Sequence, residues 1–166
     1  MIHIRLATPK DAEAMVRCRL AAITLAAAPA YSPEILEDWA QSFSKSRVQG
    51  FRNAIVSDDE TLYVALVDDR VVGFSSLMPN KQEVTGVYVH PDYGKRGIGR
   101  QLLEQLIQQA QKLNVGHLQL HASLNAVPFY SACGFILIKQ DAHKLRSGRE
   151  MPCALMEKSL IPRQPG

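Results

Sequence analysis

The sequence lacks the features that mark several large classes of protein. Its three cysteines, Cys18, Cys133 and Cys153, are widely spaced and form no Cys-x-x-Cys pair, so neither a disulfide framework nor a zinc ribbon is expected. No apolar run approaches the ~20 residues of a membrane-spanning helix. The net charge is only +3, which is too small an excess for the basic face of a nucleic-acid-binding protein. The sequence therefore predicts reduced thiols, and neither a membrane nor a nucleic acid as partner.

The rest of the composition is that of an ordinary globular chain. Hydrophobic residues make up 46% and charged residues 21% of the 166 positions, which excludes disordered and low-complexity classes. A chain of this length buries about 70% of the surface of its unfolded form, which is enough for one core. We expect a single domain over residues 1–160, a flexible tail over residues 161–166, no signal peptide and a cytoplasmic location.

Helical patterns dominate the first third of the chain, and strand patterns follow. Thr8 and Ser32 each precede a proline, with an acidic residue close behind, which is typical of a helix start. The polar residues 141–150 are expected to form a mobile loop. Helices are predicted from residue 8 to about 27, from residue 33, and over residues 48–56, 98–113 and 125–133; strands are predicted over residues 3–6, 61–68, 71–78, 83–90, 117–122, 135–139 and 153–158.

The middle of the chain contains a β-α-β unit. A strand over residues 83–90 leads through a glycine-rich turn into a long helix, and a strand over residues 117–122 follows. Two strands joined in this way are parallel, with a right-handed crossover. Hairpins before and after the unit add antiparallel strands, so the predicted fold class is α+β (mixed α/β) with a mixed sheet.

The glycine-rich turn, Asp92–Arg100, indicates a phosphate-binding site. Free N–H groups and the dipole at a helix start attract anions, and Lys95, Arg96 and Arg100 add positive charge. A P-loop is excluded because Gly-Lys-Ser/Thr is missing, and a dinucleotide fingerprint is excluded because Leu102 stands where a small residue is needed. The alternative is a tight turn that needs glycine only for its backbone dihedral angles.

Two segments resemble the acetyl-CoA motifs of the GNAT N-acetyltransferases. Val87–Leu103 resembles the family's Gln/Arg-x-x-Gly-x-Gly/Ala turn after a splayed strand, and Ser123–Phe135 resembles its Asn-x-x-Ala-x-x-Leu/Phe-Tyr-x-x-x-Gly-Phe segment. Gly94 and Ser123 depart from the family's Gln/Arg and Asn. The resemblance covers residues 2–160. It implies a mostly antiparallel sheet of six to seven strands, with a central β-α-β unit and helices on both faces.

The resemblance also implies an activity. It implies transfer of an acetyl group from acetyl-CoA, as cosubstrate and without a metal, to a primary amine of a small-molecule or peptide acceptor. Cys133 follows a helix, whose dipole disfavours a thiolate there, so we expect direct transfer in a ternary complex. The alternative is a non-catalytic acyl-CoA-binding or sensing module on the same fold. Homodimers are common in the family, so a homodimer is the oligomeric state to test.

Glu83 is the candidate general base that deprotonates the amine. Some members of the family carry a glutamate at this point of the strand, and Glu83 lies 14 residues before Gly97. In a regular strand, residues 83, 85, 87 and 89 share one face. The alternative for Glu83 is a solvated acid at the strand end. Gly86, in the middle of the strand, indicates a bulge or a close backbone approach.

Tyr130 is the candidate acid that protonates the departing thiolate. Its phenol is a hydrogen-bond donor with an ordinary pKa near 10. Tyr130 follows Phe129 on one helix, so the two rings point in different directions. We expect Phe129 in the core and Tyr130 toward the cleft. The alternative is a packing role for Tyr130 as a core aromatic.

The remaining candidates bind the cofactor. The pyrophosphate is expected on the N–H groups of residues 95–99. The resemblance implies that Val87 and Val89 pair with the pantetheine arm and that an N–H near Val87 stabilises the oxyanion. The cofactor-binding residues implied in this way are Val87, Tyr88, Val89, Gly94, Lys95, Arg96, Gly97, Ile98, Gly99, Arg100, Asn125 and Phe129.

The first helical region forms one wall of the acceptor site in the family. It contains Tyr31, Trp39, Phe43 and Phe51 in this chain, so the resemblance implies an apolar or aromatic-lined acceptor pocket. The sequence does not choose between a small amine, an antibiotic, an amino acid, a peptide N-terminus and a protein lysine as acceptor.

Overall fold

The structure, a computed structural model, describes residues 1–161. Residues 162–166, which make up most of the expected tail, lie outside the described residues. No helix in the described part of the chain is long and apolar enough to cross a membrane. The helices are α1 (Ala12–Ala21), α2 (Pro33–Ala40), α3 (Lys45–Val56), α4 (Ile98–Lys112) and α5 (Val127–Ala132), and the strands are β1 (Ile2–Leu6), β2 (Thr61–Val67), β3 (Arg70–Met78), β4 (Glu83–Val89), β5 (His117–Ser123), β6 (Ile136–Lys144) and β7 (Glu150–Ser159).

The strands form one sheet in the order β1-β2-β3-β4-β5-β7-β6. β4 and β5 are parallel, and every other neighbouring pair is antiparallel. α4 is the crossover helix that connects β4 to β5. The mixed, mostly antiparallel sheet and its β-α-β unit confirm the fold class predicted from the sequence.

Helices cover both faces of the sheet and bury their apolar stripes against it. On one face, α4 packs Ile98, Leu102, Leu103 and Leu106, each at most 1% exposed, against the strands. On the other face, α1 and α3 pack around Met15 against β2 and β3. Full burial of a leucine-sized side chain is worth about 1.5–3 kcal/mol. The α4 stripe is therefore a main source of stability.

The first helical region begins where the sequence predicts. The Asp11 carboxylate accepts hydrogen bonds from the Thr8 N–H at 2.7 Å and from the Arg5 guanidinium at 2.7 and 3.0 Å, and α1 starts beside it. A π-helical turn continues α1 to Ala26, close to the predicted end. α3 starts at Lys45, three residues before its predicted start, because the Ser44 hydroxyl caps it.

Half of the polar residues 141–150, predicted to form a mobile loop, belong to strands, and residues 145–149 form the turn between them. β6 extends to Lys144 and β7 begins at Glu150, and these two residues pair with each other. β6 is an edge strand with exposed side chains. Its backbone ladder to β7 therefore forms without the apolar alternation that a half-buried strand shows.

A β-bulge divides β4 into two parts. Ser76 pairs with Gly86 whereas Leu77 pairs with Val84, so Thr85 is an extra residue opposite β3. An extra residue reverses the alternation of side chains beyond it. The bulge therefore decides which parts of β4 face each side of the sheet.

The predicted common face of residues 83, 85, 87 and 89 is wrong because of this bulge. Val87 and Val89 pack against the α4 core, whereas Glu83 and Thr85 line a cavity on the opposite face. Gly86 lies next to this bulge, in agreement with one of its two predicted roles, and the group that approaches it closely is a side chain and not a backbone segment. The Tyr88 ring would lie only 2.6 Å from a Cβ atom on Gly86.

Candidate active site

β4 and β5 separate in the middle of the sheet. Among the described residues they share one parallel pair, Glu83 with Gln119, and beyond it β4 pairs only with β3. A cavity of about 390 Å³ lies at this opening on the α4 side. Val87 and Val89 form its floor, and the turn before α4 and the α5 segment form its walls.

The glycine-rich turn is shaped by two left-handed residues. Lys95 and Gly97 have φ angles of 62° and 79°, and Gly97 is the N-cap of α4. Glycine adopts this conformation without strain. Gly97 has no side chain to cap the helix, and the first turn of α4 contains no acidic residue. The N–H groups at the start of α4 therefore remain available to an anion.

α5 and the turn before it form the opposite wall. The Phe129 ring packs so closely on Gly99 that a Cβ atom there would lie 3.2 Å from the ring. Cys133 lines the same wall, and its carbonyl accepts a hydrogen bond from Lys158 Nζ at 2.7 Å, which closes the end of α5. Burial raises the pKa of the Cys133 thiol, so this group stays protonated at neutral pH.

This cavity gathers the predicted cofactor residues except Tyr88 and Arg96. The Tyr88 ring lies on the other face of β4 and packs on Phe74, with the ring centroids 5.2 Å apart. The Arg96 guanidinium lies over the Tyr93 ring, 5.2 Å from its centroid. The predicted residues that line the cavity are Val87, Val89, Gly94, Lys95, Gly97, Ile98, Gly99, Arg100, Asn125 and Phe129, together with Tyr130.

The positions of Phe129 and Tyr130 differ from the expectation that Phe129 lies in the core and Tyr130 faces the cleft. Tyr130 is only 6% exposed and packs edge-on against Phe129 and Phe135. Phe129 is partly exposed, and both rings line the cavity. Burial raises the pKa of Tyr130 well above its ordinary value near 10. Its phenol is therefore protonated and can act as a hydrogen-bond donor at the cavity wall.

Glu83 lies on the opposite face of β4, in a smaller cavity of about 170 Å³ that His121 also lines. The His121 Nε2 and an Asp141 carboxylate oxygen are 3.3 Å apart. The backbone N–H of Ala142, together with His121, lowers the pKa of Asp141, which keeps it ionised beside the imidazole. Sequence reasoning assigned His121 no role. Within residues 1–161, no group of three or more His, Cys, Asp or Glu side chains could hold a metal ion.

The alternation of β5 is the sequence pattern that places His121 beside Glu83. Gln119 pairs with Glu83, and His121, two residues further along the strand, points to the same face. The pattern predicts that His121 lies beside Glu83 only when the register of β4 against β5 is known. No local motif determines that register.

A larger cavity of about 750 Å³ lies on the same face and meets the smaller one at Thr85 and Tyr88. Trp39 and Phe51 line it, as the resemblance implies for the acceptor pocket. Basic side chains that sequence reasoning missed also line it, because they come from three distant parts of the chain. These side chains are Arg19 from α1, Arg47 from α3, Lys144 from β6 and Arg146 from the loop after it.

Tyr31 and Phe43 do not line the larger cavity. The Tyr31 hydroxyl donates to the Pro152 carbonyl at 2.6 Å and accepts from the Leu124 N–H at 2.8 Å, so it fastens the first helical region to β7 and to the end of β5. Phe43 lies under the Arg17 guanidinium at 4.2 Å. Both aromatics therefore have structural roles.

Comparison with known proteins places this geometry in a family. Residues 27–150 match the family model described as the acetyltransferase (GNAT) domain. The uncharacterized N-acetyltransferase YafP of Escherichia coli K12 is 30% identical over 145 residues, which cover 87% of this chain and 88% of YafP.

Solved structures agree with the sequence relatives. A GCN5-related N-acetyltransferase from Rhodopseudomonas palustris superimposes with a TM-score of 0.83 at 27% identity, covering 95% of this chain and 94% of its own. The PaiA N-acetyltransferase from Thermoplasma acidophilum, solved in complex with coenzyme A, shares the fold with a TM-score of 0.80 at 24% identity, covering 96% and 99%. The match of the family model over most of the chain, supported by YafP, shows that the chain belongs to the GNAT family of acetyl-CoA-dependent N-acetyltransferases.

Proposed function

We propose that this chain transfers the acetyl group of acetyl-CoA to a primary amine, directly and in a ternary complex, and that residues 1–160 act as one domain. The observation that carries the proposal is the position of the cavities. The α4-side cavity and the cavity around Glu83 lie on opposite faces of β4, where β4 leaves β5. A donor on one side and an amine on the other would meet at this strand.

The α4-side cavity fits coenzyme A in charge and in backbone geometry. The N–H groups at the start of α4, with Lys95 and Arg100, would bind the pyrophosphate. The edge of β4 at Val87 and Val89 would hydrogen-bond to the pantetheine arm as a neighbouring strand does. When bound, acetyl-CoA supplies the acetyl group as an activated thioester. The coenzyme in the PaiA structure supports this assignment.

Tyr130 is the proposed proton donor to the thiolate. Its ring lines the α4-side cavity, and burial raises its pKa, so the phenol carries its proton at neutral pH. A raised pKa weakens a phenol as an acid. A thiolate formed in the same low-dielectric cavity also gains proton affinity, which restores the match between donor and acceptor.

Glu83 is the proposed general base, and the His121–Asp141 pair is its rival. Glu83 and His121 line the small cavity on the face of β4 opposite α4, here called the acceptor face, where an incoming ammonium group must lose a proton, and Asp141 contacts His121 from outside the lining. The proton, which leaves an ammonium group with an ordinary pKa of about 10, would pass to one of these groups directly or through a water molecule. Only variants of both residues distinguish the two assignments.

The cysteines support direct transfer. Burial raises the pKa of Cys133 and Cys153, and it raises the pKa of Cys18 to about 12. A nucleophilic cysteine instead has a lowered pKa. Cys133 is the one of these that lines the α4-side cavity, and its protonated thiol is a poor acyl carrier.

Calorimetry with CoA and a thiol-release assay over a broad amine panel test the proposal. We expect CoA binding, amine-dependent thiol release and a product that mass spectrometry identifies as acetylated. Initial rates should give intersecting lines when both substrates are varied. Parallel lines would indicate an acyl-enzyme and contradict direct transfer. A chain that binds CoA but releases no thiol with any amine would be a sensing module.

A further inference from the structure

The larger cavity on the acceptor face carries more basic than acidic side chains. Arg19, Arg47, Lys144 and Arg146 line it, and its carboxylates are Asp38 and Glu60. Hydroxyl groups, and not guanidinium groups, contact both carboxylates. Glu60 accepts a hydrogen bond from Ser76 at 2.7 Å, and Asp38 accepts one from Ser147.

The arginines of this cavity have no counterion among the described residues. Within residues 1–161, no carboxylate lies within 4.0 Å of the guanidinium nitrogens of Arg19, Arg47 or Arg146. Exposed arginines of the same protein occur with and without such a partner: Arg17 pairs with Glu13 and Arg100 with Glu104, whereas Arg52 and Arg70 have no carboxylate within 4.0 Å among the described residues. The distinguishing feature of the cavity is that several unpaired basic side chains line one space.

Neutral partners hold two of the guanidinium groups in place. Gln41 Oε1 accepts from the Arg47 Nε at 3.2 Å and from its Nη2 at 2.9 Å. The Trp39 and Ala40 carbonyls, at the end of α2, accept from Arg19 at 3.1 and 3.0 Å. These bonds fix the directions of the groups without neutralising their charge. Arg19 has a structural role at the end of α2, so Arg47 and Arg146 are the better candidates for ligand contacts.

The positive charges lie close enough to affect one another. Arg47 is half-buried, and burial together with the Arg19 and Arg146 guanidinium groups lowers its pKa. Like charges at short range destabilise one another, and an anion between them removes that repulsion. Guanidinium groups also match oxyanions geometrically, because they donate paired, parallel hydrogen bonds.

We infer that the acceptor is a primary amine that also carries an oxyanion, a carboxylate or a phosphate, and that Arg47 and Arg146 bind this group. The inference rests on the proposed function and adds the class of its acceptor. The oxyanion would sit at the basic end of the cavity, and the amine would extend toward Thr85 and Glu83, where the two cavities meet. Polycationic amines would be rejected by the same charges.

Trp39 offers a direct binding assay, because it is the chain's only tryptophan and lines the cavity. Inorganic phosphate and acetate, titrated separately, should change its fluorescence saturably, and the tighter of the two identifies the kind of oxyanion. Arg47→Gln should weaken binding about tenfold or more, as loss of a charged hydrogen-bond donor does. Arg52→Gln, on an exposed position of the same helix outside the cavity, is the matched control and should change nothing.

Absence of a saturable change with either anion, or equal weakening by Arg47→Gln and Arg52→Gln, would overturn the inference. The titration needs no acceptor turnover, so it decides the oxyanion site even if the proposed function fails. That failure would appear separately, as absence of CoA binding or of thiol release.

Matched acceptor pairs test the same site during turnover. Each pair consists of an amino acid and its amide, or of an aminoalkyl phosphate and its alcohol. We expect the anionic member to have a KM lower by about tenfold, and the preference to collapse in Arg47→Gln and in Arg146→Gln. Turnover that favours the amides, the alcohols or a polyamine in the wild-type protein would contradict the assignment.

Discussion

The two faces of β4 are built in different ways. On the α4 side, residues 87–100 and 125–133 supply the cavity apart from Ala26. On the acceptor side, the larger cavity draws residues from Arg19 in α1 to Arg146 after β6. The first side depends on backbone N–H groups and on a glycine in a left-handed conformation. The second depends on side chains that only the complete fold brings together.

This difference explains why a sequence motif predicts a pyrophosphate site but does not predict the acceptor. A pyrophosphate needs a local backbone shape, and the residues that create this shape are neighbours in the chain. An acceptor is recognised by side chains, and their spacing along the chain carries no pattern. The following predictions test whether the two faces are separate in function as well as in construction.

Removal of the Tyr130 hydroxyl should have the largest effect. Tyr130→Phe keeps the ring and its packing, so we expect kcat to fall roughly 10²–10⁴-fold while the affinity for CoA, measured by calorimetry, stays the same. The loss should be smaller with acyl donors whose leaving thiol is more acidic. A variant that runs at the wild-type rate while chemistry is rate-limiting would make Tyr130 a packing residue only.

Substitution of Glu83 tests the acceptor face. Glu83→Gln should lower kcat/KM about 10²-fold and remove the acidic limb of the pH–rate profile, because the amide cannot accept the amine proton. His121→Asn is the comparison variant, since its side chain lines the same cavity. If His121→Asn changes the profile and Glu83→Gln does not, the base is the histidine.

Gly97→Val should damage the α4 side alone. Gly97 has a φ of 79°, and a β-branched residue is strained there although the space is open. A non-glycine residue in this conformation costs about 1–2 kcal/mol, and a turn that escapes the strain loses its phosphate-binding shape, so CoA affinity should fall at least about tenfold.

Gly97→Asn is the control for this variant, because asparagine tolerates the left-handed conformation. It should retain more of the affinity than Gly97→Val does. Circular dichroism should show both variants folded. Equal affinities for the valine variant and the wild type, by calorimetry, would exclude the turn as the pyrophosphate site.

The smallest expected effect on ligand binding comes from Asp11, whose hydrogen bonds join β1 to the segment before α1. Burial raises the pKa of Asp11, but hydrogen bonds from Arg5 and Thr8 outweigh it, so the net pKa is below its ordinary value. The stabilisation is complete above pH ~3.9 and is lost as the pH falls through the lower folded-state value. Asp11→Asn should cost about 1–3 kcal/mol of unfolding free energy at pH 7 and reduce the acid sensitivity.

Denaturant titration at pH 7 and at pH 3 measures this effect. Glu13→Gln, at an exposed pair with Arg17, is the control and should change stability by less than about 1 kcal/mol. CoA affinity should be unchanged in both variants. A large loss of CoA affinity in a folded Asp11→Asn protein would show that the two faces are coupled.

The sequence allowed the fold class, the β-α-β unit and the α4-side cavity to be predicted, because periodicity and local motifs report them. It did not allow the face of Glu83 to be predicted, because the bulge at Thr85 depends on pairing with β3. The order of Phe129 and Tyr130 was also missed. Both are aromatic rings on one short helix, and only the position of Gly99 decides which of them covers the turn.

The polar second half of β6, beyond the strand predicted over residues 135–139, and the basic acceptor cavity were missed for a related reason. β6 is stabilised by backbone bonds to β7, which leave no trace in side-chain patterning. Arg47 and Arg146 lie almost a hundred residues apart in sequence and meet only at the cavity. Both features depend on contacts between distant parts of the chain, so no single segment of the sequence predicts them.

The single parallel pair between Glu83 and Gln119 has a consequence for cooperativity. It leaves two antiparallel units, β1–β4 and β5–β7, joined by one bridge and by the core around α4. Amide protons on the facing edges should exchange rapidly with solvent, and the two units can open at different free energies. A ligand arm inserted between the strands would protect both edges at once. Hydrogen exchange would then show one unfolding unit with the ligand and two without it.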